Sequence, residues 1–250
     1  MLRVLSAYSP SKFGLPSILP LDYPNGELLL YVTSSAEFKK RVSACEKEPW
    51  TVDWLQRELR TGDVLYDIGA NVGAYSLIAA HLGGTVVAFE PGYASFARLC
   101  DNIALNEFDD SVAPVPLLLS SATGKARFDY SRLPPGYAKH AIEGEGTTGS
   151  RAPAEPVFRQ QALAIRLDDA VRWFALPPPN YVKIDVDGFE LEVLAGSEET
   201  LAGDSLASLL VEMDQANEAV LVSLLMRHGF ELSERHGVPG ALASYGIFRR

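Results

Sequence analysis

The chain has 250 residues, of which 47% are hydrophobic and 22% charged, and a formal net charge of -10. These are globular proportions on a chain long enough to bury a sizeable core, and they exclude a disordered protein. So acidic a chain lacks the positive footprint that holds phosphate backbones or anionic lipid, so neither nucleic acid nor a membrane surface is an expected partner. Cys45 and Cys100 stand far apart in no paired motif and read as reduced thiols. Residues 1–22 carry Pro10, Pro16 and Pro20 and no continuous apolar run of signal-peptide length. Runs such as residues 28–32 fall far short of the ~20 apolar residues that cross a bilayer. The expectation is a cytoplasmic protein.

Residues 27–33 predict a strand after the turn Pro24-Asn25-Gly26. Trp50, Val52, Trp54, Leu55 and Leu59 recur at roughly helical spacing and predict a helix over 50–60, with Thr51 as its candidate cap. From Val64 the pattern becomes regular. A strand over 64–68 leads to a glycine-bearing turn over 69–73 and a helix over 75–82. A strand over 85–89, a helix opened by Pro91 and ending near residue 106, and a third strand over 113–119 follow. Strands that alternate with helices predict a parallel sheet covered on both faces. Residues 131–157, with Pro134-Pro135-Gly136 and a glycine-rich run after Glu143, break the rhythm. A connection that long is either a mobile surface insertion or a lid over a site. Strands over 158–167 and 181–186, a helix over 189–201 interrupted at Gly196, and a strand over 208–213 come next. A helix over 216–228, with Gly229 as its C-cap, and strands over 230–234 and 244–249 close the chain. The expected organisation is an N-terminal strand and helix extension, residues 1–60, packed on the core of one α/β domain over 61–250 with an insertion at 131–157; the extension and the insertion are the candidates for substrate recognition.

Three motifs carry chemistry. Asp67-Ile68-Gly69-Ala70-Asn71-Val72-Gly73 lies between a strand and a helix, where glycines let backbone approach a ligand and the helix start offers free N–H groups. Glu90 ends the next strand, about 20 residues on, the place of an acid that holds both hydroxyls of a ribose. Together they predict an adenosine-containing ligand across the carboxyl ends of the strands. A dinucleotide fingerprint requires a second glycine where Asn71 stands, and Asp67 would repel a pyrophosphate. An acid beside the glycine turn suits a cofactor with an amino group and a sulfonium, which favours S-adenosylmethionine over NAD. The third motif, Lys183-Ile184-Asp185-Val186-Asp187-Gly188-Phe189-Glu190, gathers three carboxylates at the same edge, with Lys183 as their neutraliser. They could act as bases, cap the helix or bind a divalent metal, which is the less favoured option. The spacing is not that of an EF-hand calcium loop.

As an ordered set over residues 62–213, these motifs resemble the FkbM-type methyltransferases. That family pairs Asp-x-Gly-Ala-Asn-x-Gly with a later Glu-Pro, here Glu90-Pro91, and with a Lys-Ile-Asp-x-Glu-Gly-x-Glu segment, here Lys183 to Glu190. Asn102, Asn106 and the run Leu191-Glu192-Val193-Leu194-Ala195-Gly196 extend the likeness. The resemblance implies a Rossmann-like, seven-stranded, mostly parallel sheet whose last strand is antiparallel, and O-methylation as the activity. It implies Gly69, Asn71 and Gly73 at the methionine part of the cofactor, Glu90 at the ribose, Ser120 and Ser121 near the adenine, and Asp185 at the transferring methyl or the amino end, with Asp67, Ala70 and Pro91 also among the cofactor-binding residues. Asp187 stands where the family has Glu, Phe189 where it has a small residue, and Met213-Asp214 where a His often follows the glutamate matching Glu212.

The catalytic candidates are therefore Asp185, Asp187, Lys183 and His140, the last within the insertion and with a suitable ordinary pKa. His81, His228 and His236 are given no role, and Trp50 is read as core before it is read as a cofactor stack. The implied acceptor is a hydroxyl on a small molecule, sugar or natural product; homo-oligomerisation is compatible with the sequence but not specified by it. A nucleotide-dependent oxidoreductase and a non-catalytic binding subunit of the same fold stay open as rival readings.

Overall fold

The computed structural model describes residues 17–138, 140–144, 155–237 and 243–250. A hairpin of β1 (Ser17–Pro20) and β2 (Leu29–Val32) is followed by a π-helical turn (Glu37–Arg41), α1 (Ala44–Lys47) and α2 (Pro49–Glu58). Then β3 (Val64–Ile68), α3 (Ala74–His81), β4 (Thr85–Phe89), α4 (Tyr93–Leu105) and β5 (Val112–Val115) alternate as expected. After β10 (Tyr181–Ile184), α6 (Glu190–Ala195), α7 (Glu198–Ala202), β11 (Ser208–Asp214) and α8 (Glu218–Arg227), the chain ends in β12 (Glu231–Gly237) and β13 (Ala243–Arg249). The main sheet has seven strands in the order β12-β13-β11-β10-β3-β4-β5. Its interior pairs are parallel, while β13 inserts antiparallel between β11 and β12. This is the Rossmann-like, seven-stranded, mostly parallel sheet with an antiparallel last strand that the resemblance implies. Strands such as β4 are buried along nearly their whole length, because helices cover both faces.

A second sheet departs from the expected pattern. Residues 113–119 do not form one strand. β5 ends at Val115, and β6 (Leu118–Leu119) joins a separate four-stranded sheet with β7 (Gly124–Tyr130), β8 (Ala141–Gly144) and β9 (Phe158–Ile165). Pro116 cannot donate to the ladder, and Leu117 N–H turns back to Val115 O at 2.9 Å. Pro114 is tolerated because β5 is an edge strand. The start of the 131–157 insertion supplies β8, paired antiparallel with β7; residues 139 and 145–154 of it lie outside the described residues. β7 shows a period-two signal, with Ala126, Phe128 and Tyr130 buried, that the sequence reading passed over. The helix α5 (Leu167–Phe174) was likewise not anticipated. Thr51 does not cap α2; Pro49 opens that helix and Thr51 is buried within it.

The extension, of which residues 1–16 lie outside the described residues, shares the core rather than resting on it. Leu28, Leu30, Trp54 and Leu55 pack in one apolar cluster with Leu65, Leu77 and Ile78. The two asparagines of α4 fasten it. Asn102 Oδ1 accepts from Tyr31 N–H and Asn106 Oδ1 from Leu29 N–H, both at 2.8 Å, while Asn102 Nδ2 donates to Val72 O at 2.8 Å. One buried amide side chain thus ties the extension to the glycine turn. Among the described residues no helix is long and apolar enough to cross a membrane.

Candidate active site

The parallel strands end in one row. Asp185 follows Ile184, which is in register with Ile68 on one side and Val211 on the other. Asp185 therefore sits between Gly69 and Glu212 at the carboxyl edge, and Glu212 is in register with Tyr245. The turn after β3 needs backbone that side chains rarely adopt: φ is +83° at Gly69, +53° at Asn71 and +92° at Gly73. A Cβ on Gly69 would lie 2.0 Å from Asp185 O, so glycine alone lets the two strand ends meet. Glu90 closes the turn from β4. Its Oε2 accepts Asn71 N–H at 2.9 Å and its Oε1 accepts Gly92 N–H at 2.7 Å. Burial pushes the Glu90 carboxyl up to about 7, against the lowering effect of those two N–H groups.

A cleft opens above this row. Gly69, Asn71, Glu90 and Pro91 line it, together with Asp185, Asp187 and His140. Leu117, Leu118, Leu119, Phe128, Tyr137 and Phe189, which the motif reasoning did not single out for the site, supply much of the apolar wall. The other sequence candidates stand behind it. Asp67 is 1% exposed and Lys183 2%; Asp67 Oδ1 lies 3.4 Å from Lys183 Nζ and its Oδ2 accepts Ser76 Oγ–H at 2.6 Å. Lys183 also faces Asp185 Oδ2 at 3.7 Å and the Tyr75 ring at 5.2 Å, and its charge is favoured by Asp67 and Asp185 despite burial. It reaches no acceptor and acts beneath Asp185. Ala70 and Gly73 build the turn without lining the cleft: Gly73 N–H donates to Ala70 O at 2.9 Å. Ser120 and Ser121 do not line it either. Ser120 N–H is spent on Ile165 O at 3.0 Å, and the Ser120 carbonyl abuts Gly196, where a Cβ would come within 2.1 Å.

The three acids of the third motif divide. Glu190 Oε1 accepts Val186 N–H and Gly188 N–H, both at 3.1 Å, which holds the left-handed pair Asp187 and Gly188 in place. Burial pushes Glu190 up to about 7. Asp185 and Asp187 remain on the cleft wall. Among the described residues no three His, Cys, Asp or Glu side chains converge to hold a metal ion. His140 Nδ1 accepts Ser131 N–H at 3.3 Å, and burial lowers its pKa to about 4. Its other ring nitrogen then carries the proton, so His140 is neutral and has no acceptor to offer a hydroxyl. Trp50 packs away from the cleft on the sheet's far flank, stacked on His236 at 5.7 Å and tilted against Tyr245 at 5.2 Å.

With this geometry in view, the comparison with known proteins is direct: residues 67–232 match the methyltransferase FkbM domain family. The chain belongs to the FkbM methyltransferase family. It is 30% identical over 189 residues to the hexuronic acid methyltransferase AglP of Haloferax volcanii, spanning 76% of this chain and 72% of that protein. It is also 30% identical over 197 residues to the 31-O-demethyl-FK506 methyltransferase FkbM of Streptomyces tacrolimicus, spanning 69% and 74%. The fold is similar to that of a precorrin-6y C5,15-methyltransferase from Geobacter metallireducens, with a TM-score of 0.52, 15% identity, and coverage of 85% of this chain and 91% of that one. The family match begins at Asp67, so the FkbM domain contains the glycine turn, Glu90 and the Asp185 row but not the extension.

Glu212 is the acid of this FkbM site that the sequence reading left without a role. Burial, with Asp185, Glu190, Asp187 and Glu48 nearby, pushes its carboxyl up to about 9. A carboxyl whose folded pKa lies above its ordinary 4.5 gains protons on folding, so the stability it permits is full at low pH and falls as pH rises through the folded value. Glu90 and Glu190 complete that loss near pH 7, which leaves the window from 7 to 9 to Glu212. The wild type should melt at a lower temperature at pH 9 than at pH 7, and Glu212→Gln should flatten that difference. Thermal melts by circular dichroism at the two pH values check this; an undiminished slope in the variant would show that another group titrates.

Proposed function

We propose that the chain is an S-adenosylmethionine-dependent O-methyltransferase acting on a hydroxyl of a small molecule, sugar or natural-product acceptor. The observation that carries it is the row Glu90, Gly69 and Asp185 on one cleft wall. The residues fit the cofactor on a further point. Asn71 Oδ1 is a buried acceptor with no partner among the described residues, on a side chain that lines the cleft. Such an orphan calls for a donor from a ligand or water. Glu90 would hold the ribose, and Gly69 and Asn71 the methionine part. The bound cofactor supplies a methyl group made electrophilic by a sulfonium. The chain's own residues orient the acceptor hydroxyl and take its proton, which is proximity with general-base assistance. Asp185 is the base best placed. It lines the cleft with its side chain 22% exposed, and Lys183 holds it from beneath. Asp187 lines the same wall on a strained turn, with φ of +56°.

Isothermal titration of the full chain with S-adenosylhomocysteine, with NAD as control, tests the cofactor class. Micromolar binding of the former alone is the expected result, and binding of NAD alone would sink the proposal. Transfer of a labelled methyl group to a panel of hydroxylated acceptors then tests the reaction.

A further inference from the structure

We propose that Arg41, contributed by the N-terminal extension, holds the carboxylate at the amino-acid end of S-adenosylmethionine; this rests on the methyl-transfer reading above. Arg41 ends the π-helical turn and lies outside the span that matches the family. Its Nε donates to Gly136 O at 3.1 Å. The next residues, Tyr137 and Ala138, line the cleft, and Tyr137 O accepts Asn71 Nδ2 at 3.0 Å. The anchor of the guanidinium and the carbonyl that engages Asn71 therefore belong to consecutive residues. The extension grips this loop twice more: Ser34 Oγ donates to Pro135 O at 2.7 Å, and the Ser35 and Tyr137 hydroxyls meet at 3.1 Å. Arg41 is thus fixed, by a neutral carbonyl, against the loop whose next two residues line the cleft. Among the described residues no carboxylate lies within ion-pair distance of it.

Charge completes the argument. Arg41 acts on groups at both ends of the glycine turn, counteracting the upward pKa shifts of Glu90 after β4 and of Tyr75 in the first turn of α3. Glu212 on this edge is acted on by the carboxylates Asp185, Asp187, Glu190 and Glu48; Lys183 is engaged by Asp67 and Asp185, and Arg132 lies over the Tyr137 ring at 5.6 Å. A zwitterionic amino-acid end needs an acid for its ammonium and a cation for its carboxylate. The edge has acids in excess, and Arg41 is a cation beside them whose planar fork no carboxylate takes among the described residues.

The test is isothermal titration of the full-length wild type and R41M with two probes, S-adenosylhomocysteine and 5′-methylthioadenosine, the second of which lacks the amino-acid end. R41M is expected to bind S-adenosylhomocysteine at least about tenfold more weakly, the loss expected of a charge-assisted pair, and methylthioadenosine unchanged. R41K, which keeps the charge without the fork, should recover part of the loss. Unchanged affinity for S-adenosylhomocysteine, or equal weakening toward both probes, overturns the role of Arg41 alone. A wild type that binds neither probe overturns the methyl-transfer reading, and this inference with it.

Discussion

Asp185→Asn is expected to lower the rate of methyl transfer at saturating substrate by about 100-fold or more, the usual range for losing a positioned general base. The substitution keeps the shape of the side chain and removes its charge. Asp185 occupies the one place in the row where the cleft, the glycine turn and the Lys183 ammonium meet, since an added Cβ at Gly69 would reach its carbonyl and Lys183 Nζ lies 3.7 Å from its carboxylate. Lys183 keeps Asp67 as a partner in the variant, so the fold should survive with a melting temperature near that of the wild type. Steady-state kinetics beside titration with S-adenosylhomocysteine separate two roles. A fall in maximal rate with cofactor affinity kept assigns proton removal. A collapse of cofactor affinity with the maximal rate kept assigns Asp185 to the amino end of the cofactor instead. A variant as active as the wild type in both would remove Asp185 from the mechanism.

Lys183→Met is expected to be the most destabilising substitution at the site. The methionine fills much of the lysine stem's space but leaves Asp67, 1% exposed, with Ser76 as its remaining side-chain hydrogen-bond donor. Removing one partner of a buried ion pair costs about 3–5 kcal/mol, because the other charge stays buried and unmatched. At ~2–4 °C per kcal/mol for a chain of this size, the melting temperature should fall by about 10 °C. The double variant K183M/D67N removes both charges and should recover part of the loss; the cycle of four proteins gives the coupling. A single variant that melts with the wild type would show that the pair contributes nothing to holding β3 against β10.

Much of this protein was readable from local chemistry alone. The alternation from Val64 onward, the glycine turn of positive φ, and the acids at strand ends follow from rules that act within a few residues, and they placed Gly69, Asn71, Glu90, Asp185 and Asp187 at one edge before any coordinates. What the pattern could not decide was how distant segments meet. The Pro116 turn sent β6 into a second sheet, so Leu117 to Leu119 line the cleft while the Ser120 carbonyl abuts Gly196 at the end of α6. The first part of the insertion became a strand beside β7, which no local period announced. Asp185 stands two residues after Lys183, just past the end of β10. Alternation put both on one face, yet burial left the lysine in the core paired to Asp67, across the register of β3, and the aspartate on the cleft wall. Glu212 beside Asp185, and Arg41 against Gly136, rest on pairings between residues far apart in the chain. Periodicity and backbone conformation are properties of neighbours in sequence, so the sequence by itself determined the alternating elements of the main sheet and the motif-bearing turns. Register, burial and the company of each charge are properties of neighbours in space, and only the tertiary structure decided them.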